Sequence, residues 1–207
     1  MIIVNYVTSS SFKKEENEVF LENCCMPDGS KVKDHFKFNL YPLNIPERLE
    51  VDLEKMVQHE VREAYYKLKI PCIVEHAGLI FDKYIARNYP GGLTKPLWNT
   101  LGDEFLEETN SKGSKVIAKA VVAYCNGKEI KTFIGETPGI LADSPKGDRG
   151  FYWDTIFIPD AKLNLTYAEI VKEKGLEYKL IHYSQSVRAM LSFLEFIYSN
   201  PNDDFWS

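Results

Sequence analysis

Ile2-Ile3-Val4-Asn5-Tyr6-Val7-Thr8-Ser9-Ser10-Ser11-Phe12-Lys13 opens the chain with a short apolar run, a run of hydroxyl side chains and then charge. The apolar part is β-rich and nearly continuous, as a strand buried on both faces should be. The charged residues that follow predict a helix over 13–23, with Val19, Phe20 and Leu21 available for burial. Strand, polar turn and helix is how an α/β sheet begins. It places residues 8–11 at the sheet's carboxyl edge, where such folds bind ligands. Hydroxyls and backbone N–H groups at a helix N-terminus, with Lys13 close behind, suit an anion such as phosphate. Plain helix capping accounts for the same Ser and Thr residues.

Further along, Phe36, Phe38 and Leu40 alternate at a period of two, and Pro42 and Pro46 close that strand. Asp52 caps a predicted helix to about residue 69, whose apolar positions Leu53, Met56, Val57, Val61, Ala64, Tyr65 and Leu68 keep three-and-four spacing. A second buried strand is expected over 70–74, followed by Glu75-His76-Ala77-Gly78-Leu79. After a Tyr89-Pro90-Gly91-Gly92 turn, a helix is expected over about 95–108. Strands over 116–124 and 130–135 flank Asn126-Gly127, a favoured hairpin turn. An amphipathic helix over about 184–198 carries Val187, Met190, Leu191, Leu194 and Ile197 on one stripe, and Pro201 onward reads as a frayed tail. No repeat or composition break marks a second domain. The expectation is one domain over 1–200, with lobes of about 1–90 plus 180–200 and about 91–179, then a tail over 201–207. The cleft between the lobes is the default ligand site.

At 207 residues and 44% hydrophobic content the chain can bury a substantial core. A net charge of −5 argues against wholesale binding to nucleic acid or to an acidic membrane surface. Cys24, Cys25, Cys72 and Cys125 have no zinc or C-x-x-C spacing and read as buried free thiols of a reducing compartment. The start of the chain lacks the pattern of a signal peptide, and no apolar run reaches the ~20 residues of a transmembrane helix. A soluble, cytoplasmic protein is expected.

Glu47, after Pro46, and Glu75, at the end of a strand, are candidate Mg²⁺ ligands, set against the ordinary reading of a solvated Glu. His76 is a base, a ligand or a satisfied, partly buried residue. Phe151-Tyr152-Trp153-Asp154 is unusually aromatic for a loop; it stacks a purine or folds into the core. No Ser-His-Asp or Cys-His arrangement follows from spacing, and Gly91-Gly92 and Gly147 make neither a Rossmann nor a Walker pattern.

Taken in order, these segments resemble the inosine triphosphate pyrophosphatase family, which hydrolyses ITP, dITP and XTP to monophosphate and diphosphate. The family's T-G-N-x-x-K is similar to Thr8-Ser9-Ser10-Ser11-Phe12-Lys13, its L-P-E to Ile45-Pro46-Glu47, and its V-E-D-[ST]-G-L to Val74-Glu75-His76-Ala77-Gly78-Leu79. Its G-G-x-P-G turn resembles Gly91-Gly92-Leu93-Thr94-Lys95. Its F-x-G-x-x-x-G and P-R-G resemble Phe133 to Gly139 and Pro145-Lys146-Gly147. The most specific block, F-G-W-D-P-x-F-x-P followed by T-Y-A-E, is similar to Phe151-Tyr152-Trp153-Asp154-Thr155-Ile156-Phe157-Ile158-Pro159 and Thr166-Tyr167-Ala168-Glu169. The resemblance implies an α/β fold of the ITPase-like (anticodon-binding or Maf-like) kind: an elongated mixed sheet flanked by helices, two lobes with a central cleft, and a homodimer. It implies catalytic roles around Glu47, Glu75 and His76, with Mg²⁺ on Glu47. It implies nucleotide contacts from Thr8, Ser9, Ser10, Lys13, Phe151, Trp153 and Asp154, with further contacts expected from Lys179, His182 and Gln185.

Several family positions are changed. The Asn of T-G-N is Ser10, and its Gly is Ser9. The Asp of V-E-D, a metal ligand and water-activating group in the family, is His76, and a family Lys on the second helix falls near Glu60. The closing K-x-x-x-S-H-R loses its Lys, His and Arg to Leu180, Gln185 and Ser186, with Lys179 and His182 nearby as replacements out of register. A His nitrogen suits Mg²⁺ less well than a carboxylate oxygen, and lost cations weaken the grip on a triphosphate. Three readings follow. The first is a purine nucleotide sensor (dITP or ITP) with impaired catalysis, resembling the degenerate relatives that act beside a sirtuin-like NADase effector in Kongming-type antiviral systems. The second is a working nucleoside triphosphate pyrophosphatase whose site is rebuilt from Glu75, Glu47 and Lys179 or His182. The third is a structural subunit without ligand.

Overall fold

The computed structural model describes residues 1–148, 151–160 and 162–200. The tail from Pro201 and the Gly150 of the aromatic block lie outside the described residues. The chain runs β1 (Ile2–Val7), α1 (Ser11–Asn23), α2 (Val32–His35), β2 (Phe36–Tyr41), α3 (Leu53–Leu68), β3 (Cys72–Phe81) and β4 (Pro90–Gly91). It continues through α4 (Thr94–Leu101), α5 (Phe105–Glu108), β5 (Lys115–Cys125), β6 (Ile130–Leu141), β7 (Phe157–Ile158), α6 (Tyr167–Lys174), α7 (Leu176–Tyr183) and α8 (Gln185–Ser199).

One mixed sheet carries the fold, in the order β2-β1-β3-β5-β6-β7 with β4 added to β3. β1 pairs in parallel with β2 along its length, Val4 opposite Phe38. It meets β3, also parallel, at a single position, Tyr6 opposite Ile73. β1 ends at Val7, one residue beyond that pair, while β3 runs on to Phe81, which leaves a gap beside β3. The gap lies at the carboxyl ends of parallel strands where the chain order reverses, the place such sheets bind ligands.

The central strands are buried on both faces, so alternate residues feed different cores. Ala120 and Val122 pack with Phe20 of α1 and Met190 and Phe193 of α8. Val121 and Ala123 pack with Val57, Val61 and Ala64 of α3. A third cluster gathers Leu79, Phe105, Trp153, Phe157 and Tyr167 at the other end of β3 and β5. Gly135 of β6 lies so close to α8 that an added Cβ would collide with the Gln185 carbonyl and the Ala189 amide. Gly78 likewise leaves room for the Gly91 carbonyl of β4.

Most elements read from the sequence are present, and Asp52 caps α3 by accepting from the Glu54 amide at 2.9 Å. Three boundaries differ. The strand expected to stop at residue 74 continues to Phe81, because β5 pairs with it throughout, so Glu75 and His76 sit inside a strand. The helix expected over 95–108 breaks at Gly102, whose φ of 53° leaves the helical region. β6 runs to Leu141, beyond the expected end at residue 135. α6 and α7, which periodicity did not signal, start from a Thr166–Glu169 capping box and from Gly175. No helix among the described residues is long and apolar enough to cross a membrane.

Candidate active site

The gap between β1 and β3 opens into a cleft of about 390 Å³, within the usual range for small-molecule sites. The β1–α1 turn forms one wall. Thr8 Oγ1 accepts from the Ser10 amide at 3.2 Å, and Ser10 Oγ accepts from the Lys13 amide at 3.3 Å. These hydroxyls therefore shape the turn and cap α1, while Thr8, Ser9, Ser10 and Lys13 all line the cleft. Both readings of the run, cap and anion seat, are compatible with this geometry.

Lys13 reaches across to β3. Its ammonium lies 2.7 Å from Glu75 Oε2 and also donates to the Glu75 carbonyl. Tyr6 Oη donates to Glu75 Oε2 at 3.2 Å, and Ser186 Oγ to Oε1 at 3.0 Å. Burial alone would push the Glu75 carboxyl up; the Lys13 ammonium, helped by His76 and the Ser186 hydroxyl, more than offsets it and holds the group below the usual carboxylate range. Burial and the neighbouring Glu75 push the Tyr6 phenol well up, so Tyr6 remains a donor. Ser186 thus serves Glu75.

β3 turns His76 to the opposite face of the sheet, toward α3. There its Nε2 lies 2.6 Å from Glu60 Oε2. Glu60 is 3% exposed, and its second oxygen, Oε1, is buried without a hydrogen-bond partner. Glu47 faces the same cleft, 2.5 Å from Lys95 Nζ. Burial would raise its carboxyl, but the Lys95 hydrogen bond and the charges of His76 and Lys13 hold it low. Among the described residues no three His, Cys, Asp or Glu side chains group as a metal site. Mg²⁺ needs only one or two carboxylates when substrate phosphates complete its shell. Glu47, an ionised hard-oxygen donor at the cleft wall, fits that requirement; Glu75, with both oxygens taken by donors, fits it less well.

The aromatic loop divides its work. Phe151 and Tyr152 line the cleft, with Phe151 5.0 Å from the ring of Phe12. Trp153 touches the cleft but is mostly core, packed on Phe157 and Tyr167 at 5.6 and 6.1 Å. Asp154 is buried and receives Lys179 Nζ at 2.9 Å; the same ammonium bonds Glu16 at 3.0 Å. Gln185 is buried and accepts from Tyr167 Oη at 3.0 Å. His182 is exposed, stacks on Tyr178 at 4.3 Å and is not among the residues lining the cleft. The structure therefore brings Thr8, Ser9, Ser10, Lys13, Glu47, Glu75, His76, Phe151 and Trp153 together, and leaves Lys179, Gln185, Asp154 and His182 outside the lining.

Lys95 was not singled out from the sequence, and Glu60 only as a changed family position. For Lys95 no local signal exists, since its partner Glu47 is 48 positions away. For Glu60 one does: it falls on the apolar stripe of α3, between Val57 and Ala64, where a carboxylate needs a reason.

A profile of the Ham1 family matches residues 4–193. A dITP/XTP pyrophosphatase of Hyperthermus butylicus is 28% identical over 200 residues, 93% of this chain and 94% of the relative. A dITP/XTP pyrophosphatase of Methanopyrus kandleri is 32% identical over 163 residues, 76% of this chain and 81% of the relative. The solved structure of a HAM1 protein from Coxiella burnetii superimposes with a TM-score of 0.67 at 18% identity, covering 97% of this chain and all of that one, and supports the same mixed α/β fold.

Proposed function

The chain belongs to the Ham1 family, and from that premise we propose that it is a nucleoside triphosphate pyrophosphatase, cleaving a purine nucleotide such as dITP, ITP or XTP to monophosphate and diphosphate. One observation carries the reading: where the family's acid is replaced by His76, a carboxylate returns from α3 as Glu60, 2.6 Å away. An acid and an imidazole thus lie together in this region of the cleft. A similar repair supports the base side of the cleft, where Lys179, one position from Leu180, pins Asp154. In this reading Lys13 and Lys95 face the phosphates, the β1–α1 turn seats one of them, and Phe151 and Tyr152 offer aromatic faces to the base. Glu47 would hold Mg²⁺, which supplies charge stabilisation to the phosphoryl oxygens.

A second reading, the catalytically impaired sensor acting as a homodimer with an NADase effector, is favoured by a different observation. Glu75 and Glu47 are both tied to lysines, which compete with a metal for their oxygens. Diphosphate release from dITP with Mg²⁺, and melting temperature with dITP, dATP and dGTP, separate the two. Multiple-turnover release with dITP is the expected result. Stabilisation by dITP without release selects the sensor, and the absence of both effects defeats both readings.

A further inference from the structure

We propose that Lys95 is a resident counter-cation on Glu47 that gives way to a divalent metal ion, and that its released ammonium then holds a substrate phosphate, so that metal and phosphate bind with positive coupling; the inference rests on the pyrophosphatase reading and deepens it. Three segments far apart in the chain meet here. Glu47 comes from the stretch between β2 and α3, Lys95 from the first turn of α4 and Tyr152 from the aromatic block, and all three line the cleft. Lys95 Nζ lies 2.5 Å from Glu47 Oε1, and the same ammonium stands 5.8 Å from the centre of the Tyr152 ring. A carboxylate neutralised by an ammonium cannot serve a second cation at full strength, because the two positive charges repel at a few ångströms. Lys95 must therefore leave Glu47 before that carboxylate can act as a hard-oxygen ligand.

Exposure decides which ion pair of the cleft can open. The Lys13 and Glu75 side chains are 16% and 4% exposed, so parting them strands a buried charge at high cost. His76 is likewise held against the buried Glu60. The Lys95 and Glu47 side chains are 33% and 35% exposed, so water solvates both as they separate, and such a pair is held only weakly. Of the three basic groups near Glu47, namely His76, Lys95 and Lys13, Lys95 is the one that leaves at little cost. Its flexible four-carbon stem lets Nζ swing without moving α4. The face of Tyr152 gives the departing ammonium a cation–π contact on the way. Linkage makes the exchange reciprocal: Lys95 drawn away by a phosphate leaves Glu47 open to a metal ion, and Lys95 expelled by a metal ion is available to phosphate.

The test uses the full chain and two probes applied separately, Mn²⁺ without nucleotide, followed by the electron paramagnetic resonance of the free ion, and inorganic diphosphate without metal, followed by calorimetry. Lys95→Met is expected to bind Mn²⁺ about threefold to tenfold more tightly than the wild type, because a competing cation is gone. Glu47→Gln is expected to weaken Mn²⁺ by about tenfold or more and to tighten metal-free diphosphate by about threefold, because Lys95 is released from its partner. Adding Lys95→Met to Glu47→Gln should erase that gain for diphosphate. A pair that only braced the fold would give no gain in either affinity. Lys95→Met binding Mn²⁺ no more tightly than the wild type, or Glu47→Gln binding diphosphate no more tightly, overturns the proposal. Neither measurement needs turnover. A wild-type chain that releases no diphosphate from dITP with Mg²⁺ overturns the pyrophosphatase reading, whereas rapid wild-type turnover with unimproved Mn²⁺ binding in Lys95→Met overturns the exchange alone.

Discussion

Two buried carboxylates lie on the two faces of β3, Glu75 borne by the strand and Glu60 reaching it from α3, and meet opposite treatment. On the α1 and α8 face, Glu75 has a lysine, a phenol and a hydroxyl on its two oxygens. On the α3 face, Glu60 has one imidazole on one oxygen and nothing on the other. A saturated carboxylate is a fixture that holds elements together. A half-saturated one retains free energy that a ligand or a proton can release. The difference teaches where to look for chemistry in this cleft: on the face where the polar balance is left open.

The largest effect should come from breaking the closed side. Lys13→Met leaves Glu75 as an uncompensated buried charge, and removing one partner of such a pair typically costs about 3–5 kcal/mol. Urea unfolding should report a loss of that size; a loss under about 1 kcal/mol would mean that Tyr6 and Ser186 suffice for Glu75.

The pH dependence sharpens the same side. The folded Glu75 carboxyl sits below its ordinary value of 4.5, so its stabilisation is present above that pH and is lost as pH falls through the depressed folded value. The stability difference between the wild type and Glu75→Gln should therefore narrow progressively below about pH 4.5. A constant difference down to acid unfolding would show that Glu75 does not titrate differently in the folded state.

The open side should respond less in stability. Glu60→Gln is expected to change unfolding free energy by no more than about 1 kcal/mol, since it removes one charged hydrogen bond and an unsatisfied anionic oxygen together. A loss as large as that from Lys13→Met would place Glu60 with the fixtures. The smallest effect belongs to the cleft rim. Lys95 and Glu47 have side chains about a third exposed, so Lys95→Met should cost less than about 1 kcal/mol of stability. On the proposed reading its dITP-induced rise in melting temperature should nevertheless fall, because a cation lining the cleft is lost.

Local chemistry was legible without coordinates. The apolar run over 2–7, the capping hydroxyls, the Asp52 cap and the Asn126-Gly127 turn each depend on neighbours within a few positions, so the strand–turn–helix opening and most of the α/β pattern could be read directly. The motif glycines also carried their reasons, since Gly135 and Gly78 mark close backbone approaches. The strand boundary after Val74 was not legible, because polar Glu75 and His76 look like a loop until β5 pairs alongside them. The changed family positions could be read only one at a time, because their partners in space are not their neighbours in sequence.

Sequence by itself determined the class of fold and the wall of the cleft, through periodicity and short-range capping that act within one element. Only the tertiary structure decided which charges meet. Ser186 reaches Glu75 across 111 positions and Lys179 reaches Glu16 across 163, and Glu60 meets His76 only because α3 lies against β3. Electrostatic compensation depends on distance in space, and the folded core, not the order of residues, sets that distance.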